Sequence, residues 1–225
     1  MKNPTLSQRS LPLDWTNVLF LTITPLVAVI GEPLYLFANG VTWPLIAVFA
    51  FYMIATGFSV TGGYHRLFSH RAYQANSAVR LFYLIFGAAA CENSALKWSA
   101  DHRNHHAYTE QGDKDPYNIN KGFFFAHMGW IFYKRSISLD KVQALYKDPL
   151  VRWQHRYYVF IAIFIGGVVP LGIGYLLGDA WGCFLLAGVT RTVLVHHSTF
   201  LINSLCHWTG RRPYALQTAR DSALV

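Results

Sequence analysis

The chain has 225 residues, of which 53% are hydrophobic and only 13% are charged, and its formal net charge is +8. This length suits one domain, 1–225, but the apolar fraction is high for a water-soluble domain of this size. The basic residues form no run with interleaved aromatics, so the net charge favours contact with an anionic membrane surface over binding to nucleic acid. The three cysteines have neither paired nor CxxC spacing, which argues against a disulfide framework or a zinc knuckle.

Four apolar stretches are long enough to cross a membrane, which takes about 20 residues. Short turns at Asn39-Gly40 and Gly178-Asp179 join the stretches in pairs, so the sequence predicts two membrane hairpins. Arg191 lies inside the fourth stretch and is predicted to face the bundle interior or a polar cavity, because a charge in lipid is costly. The polar N-terminal residues indicate no cleavable signal peptide. The predicted spans are approximately 15–37, 41–61, 157–177 and 181–201.

The segment between the two hairpins, residues 62–156, is the polar part of the chain. It holds 13 of the 19 Lys and Arg residues. The positive-inside rule therefore predicts a cytoplasmic cap formed by residues 62–156 and 202–225, with both termini cytoplasmic. The apolar stretch 79–90 within the cap is too short to span, so it should lie in the interface or pack on the bundle.

Two histidine clusters lie in this cap. His102, His105 and His106 fall within five residues, and on a helix the last two would project near the face of the first. Imidazole is the commonest protein ligand for transition metals, so this cluster predicts a metal site. His65 and His70 are five residues apart, about 140° around a regular helix. They cannot share one face of such a helix and should flank a site at a helix end or face different ions.

A third group follows the fourth span. Asn203 and His207 are four residues apart, on one helix face, and can point back at the same metal site. Asp101 is adjacent to the central cluster and is a candidate acceptor for a ligand imidazole. The roles of the other acids and histidines near these motifs have two interpretations each. The acids Glu110, Asp113 and Asp115 are either such acceptors or solvated loop acids, and His127, His196 and His197 are more often packing or supporting groups than ligands.

Five motifs together resemble the membrane-bound acyl-CoA desaturases, of the stearoyl-CoA type that places a double bond at carbon nine. The resemblance implies an all-α integral membrane fold, with four transmembrane helices in two hairpins and a cytosolic helical cap that holds a His-rich metal site. It also implies a di-iron centre and O2 as co-substrate. The motifs are HRLFSH at 65–70, DHRNHHAYT at 101–109, DKDPYN at 113–118, GFFFAHMGW at 122–130 and NSLCH at 203–207.

The resemblance also assigns roles. Trp98 would line the acyl tunnel or pack in the core, and Asp101, Arg191 and His196 would support the metal or the substrate. The implied partners are a fatty acyl-CoA or acyl lipid, membrane lipid, and an external electron donor that is cytochrome b5-like or ferredoxin-like. A nitrogen-rich shell does not by itself select iron over zinc, so iron rests on the resemblance. The implied metal ligands are His65, His70, His102, His105, His106 and His207, with Asn203 acting through a bound water.

One motif of that family, a third box of the form HxxHH after NSxxH, is not found before Val225. We therefore expect a chain that is incomplete at its C-terminus, with weak iron retention and little desaturation. An inactive truncated fragment is one alternative function. An acyl-lipid desaturase and a membrane di-iron hydroxylase are others, because the same metals can remove hydrogen or insert oxygen. A transporter is disfavoured, because the histidines gather at one membrane face and the hairpins show no repeat.

Overall fold

A computed structural model describes residues 11–211 of the chain, and regular structure in that range is helical. Residues 1–10 of the polar N-terminal segment and residues 212–225 lie outside the described residues. Three short 3-10 turns connect the helices, at Ile119–Lys121, Gly129–Phe132 and Asp140–Val142. The helices are α1 Trp15–Asn39, α2 Trp43–Ser69, α3 Ser77–Ala89, α4 Ala95–Tyr108, α5 Phe123–His127, α6 Gln143–Tyr146, α7 Pro149–Arg156, α8 Tyr158–Leu176 and α9 Ala180–Trp208.

Four of the helices, α1, α2, α8 and α9, are the ones between residues 11 and 211 that are long and apolar enough to cross a membrane. The predicted all-α class with four spanning helices is thereby confirmed. Two of these helices continue past their apolar stretches, α2 to Ser69 and α9 to Trp208. The HRLFSH and NSLCH motifs therefore form the last turns of long helices, where polar side chains sit on a rigid backbone.

Side-chain caps and prolines explain where several helices begin. Asn76 accepts a hydrogen bond from the backbone N–H of Val79 (3.0 Å) and so caps α3. The predicted break near residues 148–149 is the start of α7: Asp148 accepts from the N–H of Leu150 (3.0 Å), and Pro149 occupies the first turn. Asp179 caps α9 in the same way, because its carboxylate accepts a hydrogen bond from the N–H of Gly182 (2.8 Å).

The described residues divide into two compact units. The first comprises residues 22–100 and 139–196. Its core is a buried cluster on α2 and α9, against which side chains of α3 and α8, such as Phe86 and Ile165, pack. Burial of these large apolar groups is the main stabilising contribution within the unit. The buried members of this cluster are Leu45, Tyr52, Cys183, Leu186 and Ala187.

Within this first unit, two polar side chains of α9 hold the carbonyl end of α3. Arg191 is fully buried and donates to the carbonyl oxygens of Ala89 (2.6 Å) and Gly166 (3.3 Å). His196 donates from Nε2 to the carbonyl of Ala90 (2.8 Å). The last carbonyls of a helix have no partner within the helix and carry partial negative charge, so a guanidinium is well suited to them.

The second unit comprises residues 101–138 with the adjoining parts of α1 and α9. The chain before α1 is tied to the segment after α5 by two backbone hydrogen bonds, from Asp14 N to Phe132 O (2.8 Å) and from Lys134 N to Pro12 O (2.9 Å). The buried side chain of Asp115 anchors the loop that follows α4. This unit carries most of the histidines that the motifs single out.

Candidate metal centre

His65 and His70 lie side by side at the end of α2, and the expectation from a regular helix is wrong here. The segment Ser59–Ser69 is π-helical, and the N–H of His70 donates to the carbonyl of His65, five residues back (3.0 Å). Bonding from i to i+5 stacks residues five apart, where an α-helix would separate them. The two rings meet edge to face with centroids 4.6 Å apart, and their ligand nitrogens lie within 4.8 Å.

His102 and His106 form a second pair, on adjacent turns of α4. Their Nε2 atoms are 3.1 Å apart. Two nitrogens bound to one ion at about 2.1 Å each lie about 3 to 3.4 Å apart for bond angles between a right angle and a tetrahedral one. The observed spacing thus fits two ligands of a single ion without a change of backbone.

His105, on the same helix, is oriented by a buried carboxylate. Its Nδ1 lies 2.8 Å from Oδ1 of Asp115, which has no exposed surface. Asp115 also accepts from the N–H groups of Glu110 (2.7 Å) and Tyr117 (3.2 Å). A carboxylate that only accepts fixes the proton on Nδ1 and leaves the Nε2 lone pair for a metal.

The loop after α4 reverses at Glu110, whose φ is +61°. This left-handed residue returns the chain so that Asp115 lies beneath His105, and the ring of Tyr117 stacks on that imidazole at 4.3 Å. Burial, and next the charge of Asp115, raise the pKa of Tyr117. His105, Asp115 and Tyr117 are all buried, and this low exposure to water strengthens the bond between His105 and Asp115.

His207, in the last turn of α9, approaches the same imidazole. Its ring meets that of His105 edge to face, with centroids 4.9 Å apart, and its Nδ1 lies 3.5 Å from Oε1 of Glu110. Asn203 lies one turn earlier on α9 and is half-buried. The structure thus brings His207 to His105, and the roles of His207 and Asn203 as ligands stay predictions.

The four residues predicted to support the metal or the substrate make hydrogen bonds elsewhere in the structure. Trp98 donates from Nε1 to Glu92 (3.1 Å), and Asp101 accepts from Arg135 (3.1 Å). Arg191 and His196 hold backbone carbonyls at the end of α3, as described above. Their roles towards metal or substrate stay predictions.

Sequence reasoning missed the environment of three residues: Asp115, His127 and His197. Asp115, one of three loop acids with an open interpretation, is the one that is buried against a histidine, whereas Asp113 pairs with Lys121 at the surface. His127 and His197, treated as packing groups, bond to each other at 2.9 Å. No spacing signal could have found this second pair, because its members are 70 residues apart.

The overall comparison with known families decides the classification. A family model described as fatty acid desaturase matches residues 42–224. The chain belongs to the fatty acid desaturase family. All five motifs lie inside the matched range, so the family predicted from them is confirmed. With four candidate spans, this member of the family is a multi-pass membrane protein.

Individual relatives carry more specific names. The chain is 41% identical over 206 residues to a probable acyl-CoA desaturase of Schizosaccharomyces pombe. The matched region covers 90% of this chain and 42% of that protein. It is 38% identical to stearoyl-CoA desaturase 5 of Bos taurus (89% and 61%) and 32% identical to delta(9)-fatty-acid desaturase fat-7 of Caenorhabditis elegans (89% and 61%). The desaturase chain thus spans about half the length of these relatives.

Proposed function

We propose that the protein is an oxygen-dependent fatty acyl-CoA desaturase that introduces a cis double bond at carbon nine of a saturated acyl chain. The observation that carries the proposal is the set of paired imidazoles at the ends of α2, α4 and α9, in a chain of this family. The names of the relatives support the acyl-CoA substrate and the position of the double bond.

The proposed ligand set binds two iron ions. The donors are nitrogen-rich, which suits iron, and the 3.1 Å between the Nε2 atoms of His102 and His106 is compatible with binding one ion. Membership of the desaturase family supports iron over other metals that imidazole binds. The set is His65, His70, His102, His105, His106 and His207, with Asn203 through a water.

Two hydrogens leave adjacent carbons of the acyl chain, and together with two electrons and two protons from the external donor and solvent they reduce O2 to two waters. Acid–base side chains cannot oxidise an unactivated alkyl chain, and the iron ions supply that oxidising capacity when bound. The residues of this chain hold and orient the ligands: Asp115 keeps the proton on Nδ1 of His105, and the buried ring of Tyr117 limits water. An external carrier, cytochrome b5-like or ferredoxin-like, supplies the electrons.

The proposed orientation places the metal site and both termini on the cytoplasmic side. The concentration of 13 of 19 basic residues in residues 62–156 supports it through the positive-inside rule. The same basic surface would favour encounter with an acidic electron carrier.

The test is a product assay on membranes from cells that express the native gene. Stearoyl-CoA, O2 and a reductant are supplied, and the acyl product is measured by mass. We expect loss of two hydrogens, abolished in His102→Ala and largely retained in the control His155→Ala, whose ring bonds the hydroxyl of Ser94. Gain of one oxygen would make the protein a hydroxylase, and turnover only of intact glycerolipid would make it an acyl-lipid desaturase. An unchanged substrate with iron-loaded protein would refute all three.

A further inference from the structure

His127 and His197, which are not among the proposed ligands, lie in the unit of residues 101–138 and 197–211. His127, the last residue of α5, has two bonds to α9: from Nε2 to Nδ1 of His197 (2.9 Å) and from Nδ1 to Oγ of Ser204 (3.0 Å). The hydroxyl of Ser204 lies 2.9 Å from the carbonyl of Phe200. One imidazole therefore bridges two turns of α9.

The hydrogen bonds that link His197, His127, Ser204 and the carbonyl of Phe200 have defined proton positions, which are assigned from the carbonyl. The carbonyl of Phe200 can only accept, so we assign the single hydroxyl proton of Ser204 to it. His127 then donates from Nδ1 to Ser204, and its Nε2 accepts from Nδ1–H of His197. Burial, and next the neighbouring His197, lower the pKa of His127, which agrees with a neutral ring. Each group has one defined tautomer and rotamer.

Aromatic contacts extend the same attachment along α9. The ring of Phe123 stacks on His127 with an interplanar angle of 11°, and it meets Trp208 edge to face at 5.1 Å. The ring of His127 also contacts Phe200 at 5.6 Å. The contacted positions on α9 (197, 200, 204 and 208) recur with helical spacing, so they form one face.

This face adjoins the proposed ligands. Asn203 precedes Ser204 directly, and His207 follows it by three residues, near its face. Rotation of the last turns of α9 would swing both ligand side chains, and a displacement of about 1 Å is enough to impair a site. The bonds of His127 oppose such a rotation.

We propose that His127 is a positioning residue that fixes the rotation of the last turns of α9 and so orients Asn203 and His207. The inference rests on the proposed function for the role of those two ligands. The bond to Ser204 carries most of the effect, because it lies closest to them. The bond to His197 defines which nitrogen of His127 has the proton.

Three variants of the full chain in detergent separate the two bonds. His127→Asn keeps a donor near the position of Nδ1, His127→Gln keeps a polar group near the position of Nε2, and His127→Phe keeps the ring stacking but has no hydrogen bond. The measurements are amide hydrogen exchange of residues 200–208 in metal-free protein and the absorption spectrum and affinity of bound Co²⁺. We expect faster exchange and about 10- to 100-fold weaker Co²⁺ binding in His127→Phe and His127→Gln. His127→Asn should give values close to those of the parent protein.

Two further variants guard against general destabilisation. Ser204→Ala removes the acceptor but leaves His127 in place, and it should reproduce the effect of His127→Phe. Thr209→Val removes a hydroxyl that bonds the carbonyl of Leu205 (3.0 Å) on the same helix and should change neither measurement.

The possible outcomes are distinct. Equal exchange in the Asn and Phe variants would overturn the proposal. A loss of Co²⁺ affinity in His127→Phe without any change of exchange would overturn it as well, because His127 would then be a ligand. If the parent binds no metal while the exchange pattern holds, the proposed function fails and the positioning effect stands.

Discussion

Individual histidines of this chain differ in role because their neighbours differ. The Nδ1 of His105 faces a buried carboxylate, which leaves Nε2 for a metal, whereas Nε2 of His196 is committed to a backbone carbonyl. His102 and His106 offer two nitrogens to one point in space. Residue type alone indicates a metal site, but the hydrogen bond at the second ring nitrogen decides which imidazoles can serve it.

Asp115→Asn is expected to weaken metal binding about 10- to 100-fold, because the amide no longer supplies the charge that makes His105 a strong donor. Iron retained against a competing chelator measures the effect. Asp113→Asn is the matched control, since Asp113 pairs with Lys121 at the surface. Equal losses in the two variants would contradict the role of Asp115.

At the level of helices, glycines allow α2 and α3 to pack closely. A Cβ on Gly87 of α3 would lie 2.4 Å from the ring of Tyr64 on α2. That ring cannot shift easily, because its hydroxyl accepts from Gln154 (2.6 Å). The contact therefore fixes the register of α3 against the helix that carries His65 and His70.

Gly87→Ala should lower the stability of the protein by about 1–3 kcal/mol, the usual cost of overpacking a dense core. The midpoint of thermal unfolding in detergent reports the change. Gly57→Ala is the control, because nothing lies within 4 Å of a Cβ at that position of α2. There the higher helix propensity of alanine should be neutral or stabilising. Similar shifts for both variants would argue against the close contact.

The attachment of α9 to the end of α3 gives a second expectation for the helices. Arg191→Met should leave the carbonyls of Ala89 and Gly166 without their guanidinium donor, at about 1–3 kcal/mol for each buried acceptor. Arg191→Lys should retain only part of the stability, since an ammonium lacks the planar fork of a guanidinium. Leu194→Ala, on an exposed position of the same helix, is the comparison. Thermal unfolding in detergent measures all three, and an unaffected Arg191→Met would refute the attachment.

For the molecule as a whole, the distribution of charge gives the expected orientation in the membrane. Lys147 is an exposed residue of the basic segment, and Asn39 is the exposed last residue of α1, next to the turn that leads to α2. The positive-inside rule puts the first in the cytoplasm and the second outside.

Cysteine labelling tests this orientation. Asn39→Cys should react with a membrane-impermeant maleimide in intact cells, and Lys147→Cys should react only after permeabilisation. The parent protein, whose cysteines at 183 and 206 are buried, gives the background. The opposite labelling pattern would invert the proposed topology.

Several features of the protein follow from its sequence alone. The length of each apolar stretch determined the four spanning helices, because hydrocarbon thickness sets that length. The five motifs determined the family, and the i, i+3 and i, i+4 spacings predicted that His105 and His106 project near the face of His102. These signals are local, since they depend on residues within a few turns of one another.

Contacts between distant segments needed the tertiary structure. It decided that His65 and His70 lie together, since a π-helical segment replaced the regular helix that periodicity assumes. It also decided that Asp115 is buried beneath His105 and that His127 meets His197. The physical reason is the same in each case: a hydrogen-bond partner far along the chain is selected by packing, on which neither composition nor spacing carries information.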